Sequence, residues 1–277
     1  MAGPHRPHGI HRRGAPRRSR VPRPSVERAH APRVCLRLRA GDSASPATDD
    51  GACARGWPMT PGSIAMETRI LMLSAAACII ADLLGWRGVV YLTKPLATAA
   101  VIALALHVPA VRSFSYRRWI VAGLVCSLVG DVLLMLPSDR FVAGLGAFLV
   151  AHLCYITAFA RDGGGWRAPA AAAVVAGVVA GMAVLLWPHL GALRWPVVGY
   201  MLVIGTMAWQ ALARWRHLGG PATAHAAVGA ACFVCSDGAL ALRKFLDPFP
   251  GATVVVLGTY WVAQWGIARS VASDPQA

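Results

Sequence analysis

Three aspartates interrupt long apolar runs in this chain: Asp82, Asp131 and Asp237. An ionised aspartate at mid-membrane costs roughly 2.5–3.5 kcal/mol on insertion scales, so such a residue marks a functional site by default. Asp82 stands at the end of its run, close to Trp86 and Arg87, and reads as interfacial. Asp131 and Asp237 are internal, each about five residues from the same membrane face. At about 1.5 Å per residue, both carboxylates lie about 8 Å below it. Other polar groups fall near that layer. Ser127 is one turn before Asp131 on the same helix face. His152 and Tyr155, at i and i+3, share a side of one helix, and Tyr260 and Gln264, at i and i+4, share a side of another. Lys94 and Tyr200 enter from outer helix ends.

Taken singly, each has a structural explanation: a hydrogen-bonded packing histidine, interfacial tyrosines, a lysine snorkelling to the surface. Two carboxylates at one depth in different helices are harder to explain by packing. They suit proton transfer, with one carboxyl as acid and the other as stabilising base. They also suit a proton-coupled transporter. The best sequence pointer to transport, a short Gly/Pro-broken helix pair in corresponding positions of two halves, is missing. Two carboxylates and one histidine without ligand spacing do not predict a metal site.

The elements that position these residues are membrane helices. Apolar residues make up 56% of the chain and charged residues 14%, with mean hydropathy +0.52. Soluble domains carry about 25% charged residues, so the solvent here is lipid. Apolar runs predict helices near 68–86, 91–111, 119–136, 141–160, 170–187, 195–212, 222–242 and 251–269. Each approaches or crosses a hydrocarbon core of about 30 Å. The links are short, which implies antiparallel neighbours. The expected fold is all-α, a polytopic bundle of about eight transmembrane helices over residues 66–272.

Residues 1–65 differ. Twelve arginines face four acids there, with many prolines and no apolar periodicity. Such a tail cannot offset its ordering entropy and is expected to be disordered. Met59 and Met66 are both candidate starts. The net charge of +15 does not argue for nucleic acid in the main body, because its basic residues sit in short links between apolar runs. Cys232 and Cys235 have a redox-like spacing inside an apolar run and read as packing thiols.

In their order, the motifs resemble those of the YhhN family of lysoplasmalogenases. The matching pieces are Lys94-Pro95, the segment Gly123 to Met135 with Ser127 and Gly130-Asp131, and Phe141 to Phe148 leading to His152 and Tyr155. Tyr200 with Met207, the segment Gly229 to Ser236-Asp237, and Tyr260 with Gln264 complete the set. The likeness covers roughly residues 68–269. It implies an eight-helix membrane protein that cleaves the alkenyl ether of a lysophospholipid-type substrate, giving a fatty aldehyde and a glycerophospho-alcohol. On that reading Asp131 and Asp237 are catalytic. Ser127, His152, Tyr155, Tyr200, Ser236, Tyr260 and Gln264 bind or orient, and Lys94 meets the substrate phosphate. No cofactor and no obligate protein partner are implied, and the setting is a bacterial-type inner or plasma membrane.

With both termini cytoplasmic, the inner links carry eight basic residues and the outer ones six. Reporter fusions after Gly165 and Gly220 are therefore expected to read cytoplasmic, and one after Ser138 external. An external signal at Gly220 would overturn this orientation.

Overall fold

Lipid offers no partner to a backbone N–H or C=O, so each apolar run must close its hydrogen bonds within itself. The computed structural model describes residues 61–108, 111–136, 140–165 and 168–273. Within them lie eight α-helices: α1 (Pro61–Leu83), α2 (Arg87–His107), α3 (Phe114–Met135), α4 (Phe141–Arg161), α5 (Pro169–Leu186), α6 (Arg194–Leu218), α7 (Pro221–Phe245) and α8 (Ala252–Arg269). The expectation for residues 1–60 lies outside the described residues.

Every predicted helix is present, but several extend beyond the apolar run that announced them. α1 begins at Pro61 rather than 68, α3 at Phe114 rather than 119, and α6 continues to Leu218 rather than 212. Hydropathy marks only the stretch suited to hydrocarbon, whereas the backbone ladder runs on through polar ends until a cap stops it. The Ser113 hydroxyl caps α3 by accepting from the Tyr116 N–H at 3.5 Å. Gly219, at φ +67°, ends α6.

Among the described residues, seven helices are long and apolar enough to cross a membrane. α8 is not one of these: Tyr260, Gln264 and Arg269 lower its hydropathy. Half of its residues are buried, against α7, α1 and α2. Neighbouring contacts run α1, α2, α3, α4, α6, α7, α8 and back to α1 and α2, while α5 packs mainly against α6. α5 leaves Val174, Val178, Val184 and Leu185 exposed, as a lipid-facing helix does.

Two pairs, α3 with α4 and α7 with α8, pack through small residues. A Cβ on Gly130 would lie 2.7 Å from the Phe148 ring, and one on Gly266 would lie 2.7 Å from the His225 carbonyl oxygen. Without a hydrophobic force between helices in lipid, such close backbone approach supplies the packing energy. The links at the end of the bundle away from Asp131 are tied by charge. Asp162 accepts from Arg214 Nη2 at 2.7 Å and Arg112 Nε at 2.8 Å. Arg214 is fully buried, 4.5 Å from the Tyr116 ring centroid.

Gly266→Ala should destabilise by about 1–3 kcal/mol, because the atom it meets is backbone and cannot swing aside. Gly258→Ala, on the same helix with open space around it, should be neutral or slightly stabilising. Thermal unfolding of both variants in one detergent checks the contrast, and equal losses would contradict it.

Candidate functional site

Asp131 is only 1% exposed, so its charge must be met by protein. Three donors from two other helices meet it. Lys94 Nζ of α2 lies 3.1 Å from Oδ1. Thr98 Oγ1, one turn further along α2, donates to Oδ2 at 2.7 Å, and the Tyr260 hydroxyl of α8 donates to the same oxygen at 2.6 Å. Helical spacing accounts for the paired donors, since residues i and i+4 share a face. Pro95 lies between them and removes one N–H from the α2 ladder.

A chain of amides and hydroxyls backs this cluster. Gln264 Nε2 donates to the Tyr260 oxygen at 2.7 Å, Tyr155 donates to Gln264 Oε1 at 3.4 Å, and Ser127 and Tyr155 share a bond of 3.2 Å. All four residues are buried. Tyr260 thus gives its only proton to Asp131 while its oxygen is held from behind.

Asp237 sits in a second cluster with different partners. Its side chain is 18% exposed. The Tyr200 hydroxyl donates a short hydrogen bond to Oδ2. His152 Nε2 is 2.9 Å from the Tyr200 oxygen and 3.8 Å from Asp237 Oδ2. Because Tyr200 spends its proton on Asp237, this arrangement assigns the histidine proton to Nε2. Nδ1 is then a buried acceptor, and it has no hydrogen-bond partner. Among the described residues, no lysine or arginine pairs with Asp237 as Lys94 pairs with Asp131.

Both carboxylates line one cavity of about 1090 Å³. Phe233 stands between the clusters, its ring edge-on to His152 (4.7 Å between centroids) and to Tyr260 (5.6 Å). On the lipid side the wall is aliphatic, with Val178, Val179, Met182, Met201 and Ile204 from α5 and α6. The cavity also reaches Arg87, Arg140 and Phe249, near the bundle end that carries the 84–86 and 246–251 links.

The sequence-predicted residues therefore assemble, with two changes of role. Lys94 was expected to meet a phosphate, and its ammonium lies 3.1 Å from Asp131 Oδ1. Ser236 lines the cavity, yet its hydroxyl donates to the Val256 carbonyl at 2.9 Å and ties α7 to α8. Ser127 and Tyr155 lie behind Tyr260 and away from the cavity lining. Sequence reasoning missed Thr98, whose signal was its i+4 spacing from Lys94 on a helix face already singled out. It also missed Phe233 as a partition, for which hydropathy gives no signal.

A family model described as the YhhN family matches residues 89–271. A lysoplasmalogenase of Mycobacterium bovis is 39% identical over 156 residues, covering 53% of this chain and 58% of that protein. A lysoplasmalogenase of Sus scrofa is 32% identical over 199 residues, 69% of this chain and 78% of that protein. A membrane protein of Escherichia coli named YhhN is 27% identical over 181 residues, 64% of this chain and 85% of its own length. The chain thus spans less than two thirds of the mycobacterial relative. No solved structure matches.

Asp131→Asn leaves the Lys94 ammonium without its counter-charge and should destabilise by about 3 kcal/mol. Adding Lys94→Met should recover most of that loss, because the orphaned charge disappears with it. A double-mutant cycle by thermal unfolding reads the coupling, and strictly additive losses would argue against the pair.

Proposed function

Because this chain belongs to the YhhN family, we propose that it is an integral membrane hydrolase that cleaves the alkenyl ether bond of lysoplasmalogens. The observation that carries the chemistry is the inequality of two carboxylates on one cavity: among the described residues, Asp131 has a bonded lysine and Asp237 has none.

Vinyl ether hydrolysis begins with proton delivery to the carbon remote from oxygen and passes through an oxocarbenium ion. Water adds to the cation, and the resulting hemiacetal collapses to an aldehyde and an alcohol. A donor of this kind must hold a proton in the resting site and regain it within the cycle. In our reading Asp237 fills that role: it gives the proton to carbon and takes one from the attacking water. Tyr200 and His152 orient its carboxyl, with the Tyr200 hydroxyl already on Oδ2.

Asp131 plays the other part. Its oxygens are occupied by Lys94, Thr98 and Tyr260, which suits a fixed anion rather than a proton shuttle. Placed on the same cavity, it offers negative charge to the oxocarbenium ion, and the low-dielectric surroundings strengthen that attraction. Tyr260, clamped between Asp131 and Gln264, shapes the wall at which the cation forms. The aliphatic side toward α5 and α6 takes the hydrocarbon chain, and no cofactor is required. Both termini are taken as cytoplasmic, which puts the cavity opening on the outer face.

Asp237→Asn should lower aldehyde release from a lysoplasmalogen by about 10²–10⁴-fold without loss of membrane insertion. Asp131→Asn should also be strongly impaired, and the double variant little worse than Asp237→Asn alone, since groups acting as a unit are not additive. His152→Ala should be milder, because it acts through Tyr200. Near-normal turnover in both single aspartate variants would rule out this mechanism and favour proton-coupled transport.

A further inference from the structure

With Lys94 committed to Asp131, an anionic headgroup needs another partner. Four other cations line the same cavity: Arg87 at the start of α2, Arg140 just before α4, and Arg243 and Lys244 in the last turn of α7. All four are exposed. They come from three separate stretches of sequence and converge on one opening. Among the described lining residues at that level the acid is Asp82, whose carboxylate accepts from Thr253 Oγ1 at 2.8 Å. Arg243 Nη1 donates to the same Thr253 oxygen at 3.1 Å, so Asp82 is partly shared with one of the four cations. Asp247, further along the chain, is exposed and does not line the cavity. Among the described lining residues, this rim thus brings four cations together with one carboxylate.

Geometry links this rim to the reacting level. Arg243 and Lys244 follow Asp237 by six and seven residues on α7, which raises them about 9–10 Å toward the opening. At that level Arg243 Nη1 is bonded to Thr253 and Lys244 Nζ lies 5.1 Å from the Phe141 ring centroid. In a glycerophospholipid the phosphorus is five bonds from the ether oxygen at the first glycerol carbon. With bonds of about 1.5 Å, that is a span of about 6 Å. A phosphate bound a few ångströms below the level of these two residues leaves the ether at the depth of the two aspartates.

We infer that Arg87, Arg140, Arg243 and Lys244 form a phosphate-binding rim that holds the phosphodiester of a lysophospholipid over the cavity. This rests on the lysolipid reading above. The rim sets which molecules are held and how deep the chain enters, whereas the aspartates act on the bond. Arginine suits a phosphate because its planar fork donates two parallel hydrogen bonds. Since the cations are exposed, their attraction is screened and should weaken with salt.

The test is equilibrium binding to the full chain in detergent, using ligands that cannot turn over. One is a saturated 1-O-alkyl lysophosphatidylethanolamine, which lacks the vinyl bond, and the other is the 1-O-alkylglycerol of the same chain. Wild type should bind the phospholipid at least tenfold more tightly. Arg140→Gln with Lys244→Gln should weaken phospholipid binding about tenfold and leave the alkylglycerol unchanged, which also shows that the variant is folded. If that pair fails to fold, Arg87→Gln with Arg243→Gln decides in the same way. Equal affinity of wild type for both ligands, or unaltered phospholipid binding in a folded variant, would overturn the inference. So would inorganic phosphate binding as tightly as the lysolipid, because the rim would then be a site for free phosphate. Hydrolysis is not the readout, so a protein that binds as expected but releases no aldehyde would sink the hydrolase reading alone.

Discussion

A carboxylate sealed inside a bilayer must find its donors among other helices, and Asp131 organises this bundle by that need. Lys94 and Thr98 come from α2 and Tyr260 from α8. These contacts fix the rotation of both helices about α3, because a turn in either would leave a buried charge without partners. α8 shows how strong the constraint is. It is the least suited of the eight to hydrocarbon, yet it lies against α7, α1 and α2 and delivers Tyr260 and Gln264 to the interior.

The contrast between the two aspartates follows from packing. Phe233 and Phe148 stack edge-to-face among His152 and Tyr260, and the lysine lies on the Asp131 carboxylate. Two residues of the same type, at similar depth, thereby have different hydrogen-bond partners.

Small residues make such arrangements possible. Where Gly123, Gly130 and Gly266 sit, a methyl group would collide with Tyr155, Phe148 or the His225 carbonyl. The helices approach closely enough for short hydroxyl and amide side chains to bond across them, as Tyr155 does to Ser127 and Gln264. Larger residues would hold the helices apart and break the chain behind Tyr260. The far end of the bundle uses a different device, the buried Arg214 and Asp162 pair, to hold its links. The site therefore sits in a frame secured at both ends.

The sequence by itself determined that the chain is a bundle of eight helices and which polar residues belong to its interior. Both follow from transfer energetics: apolar runs longer than the bilayer demand must be helices, and a charge within one needs a reason. Asp131, Asp237, His152, Tyr200, Tyr260 and Gln264 were legible on that ground alone. Helix ends were less so, because caps and backbone bonding rather than hydropathy decide them. The tertiary structure decided partnership. Periodicity places Lys94 at the right depth but does not say which face of another helix it meets, so its bond to Asp131 could not be read along the chain. Ser236 shows the converse, since the family resemblance implied a site role while the Val256 carbonyl claimed its proton. Depth is a one-dimensional quantity set by counting residues. Partnership depends on how each helix is rotated, which the packing of all the others fixes.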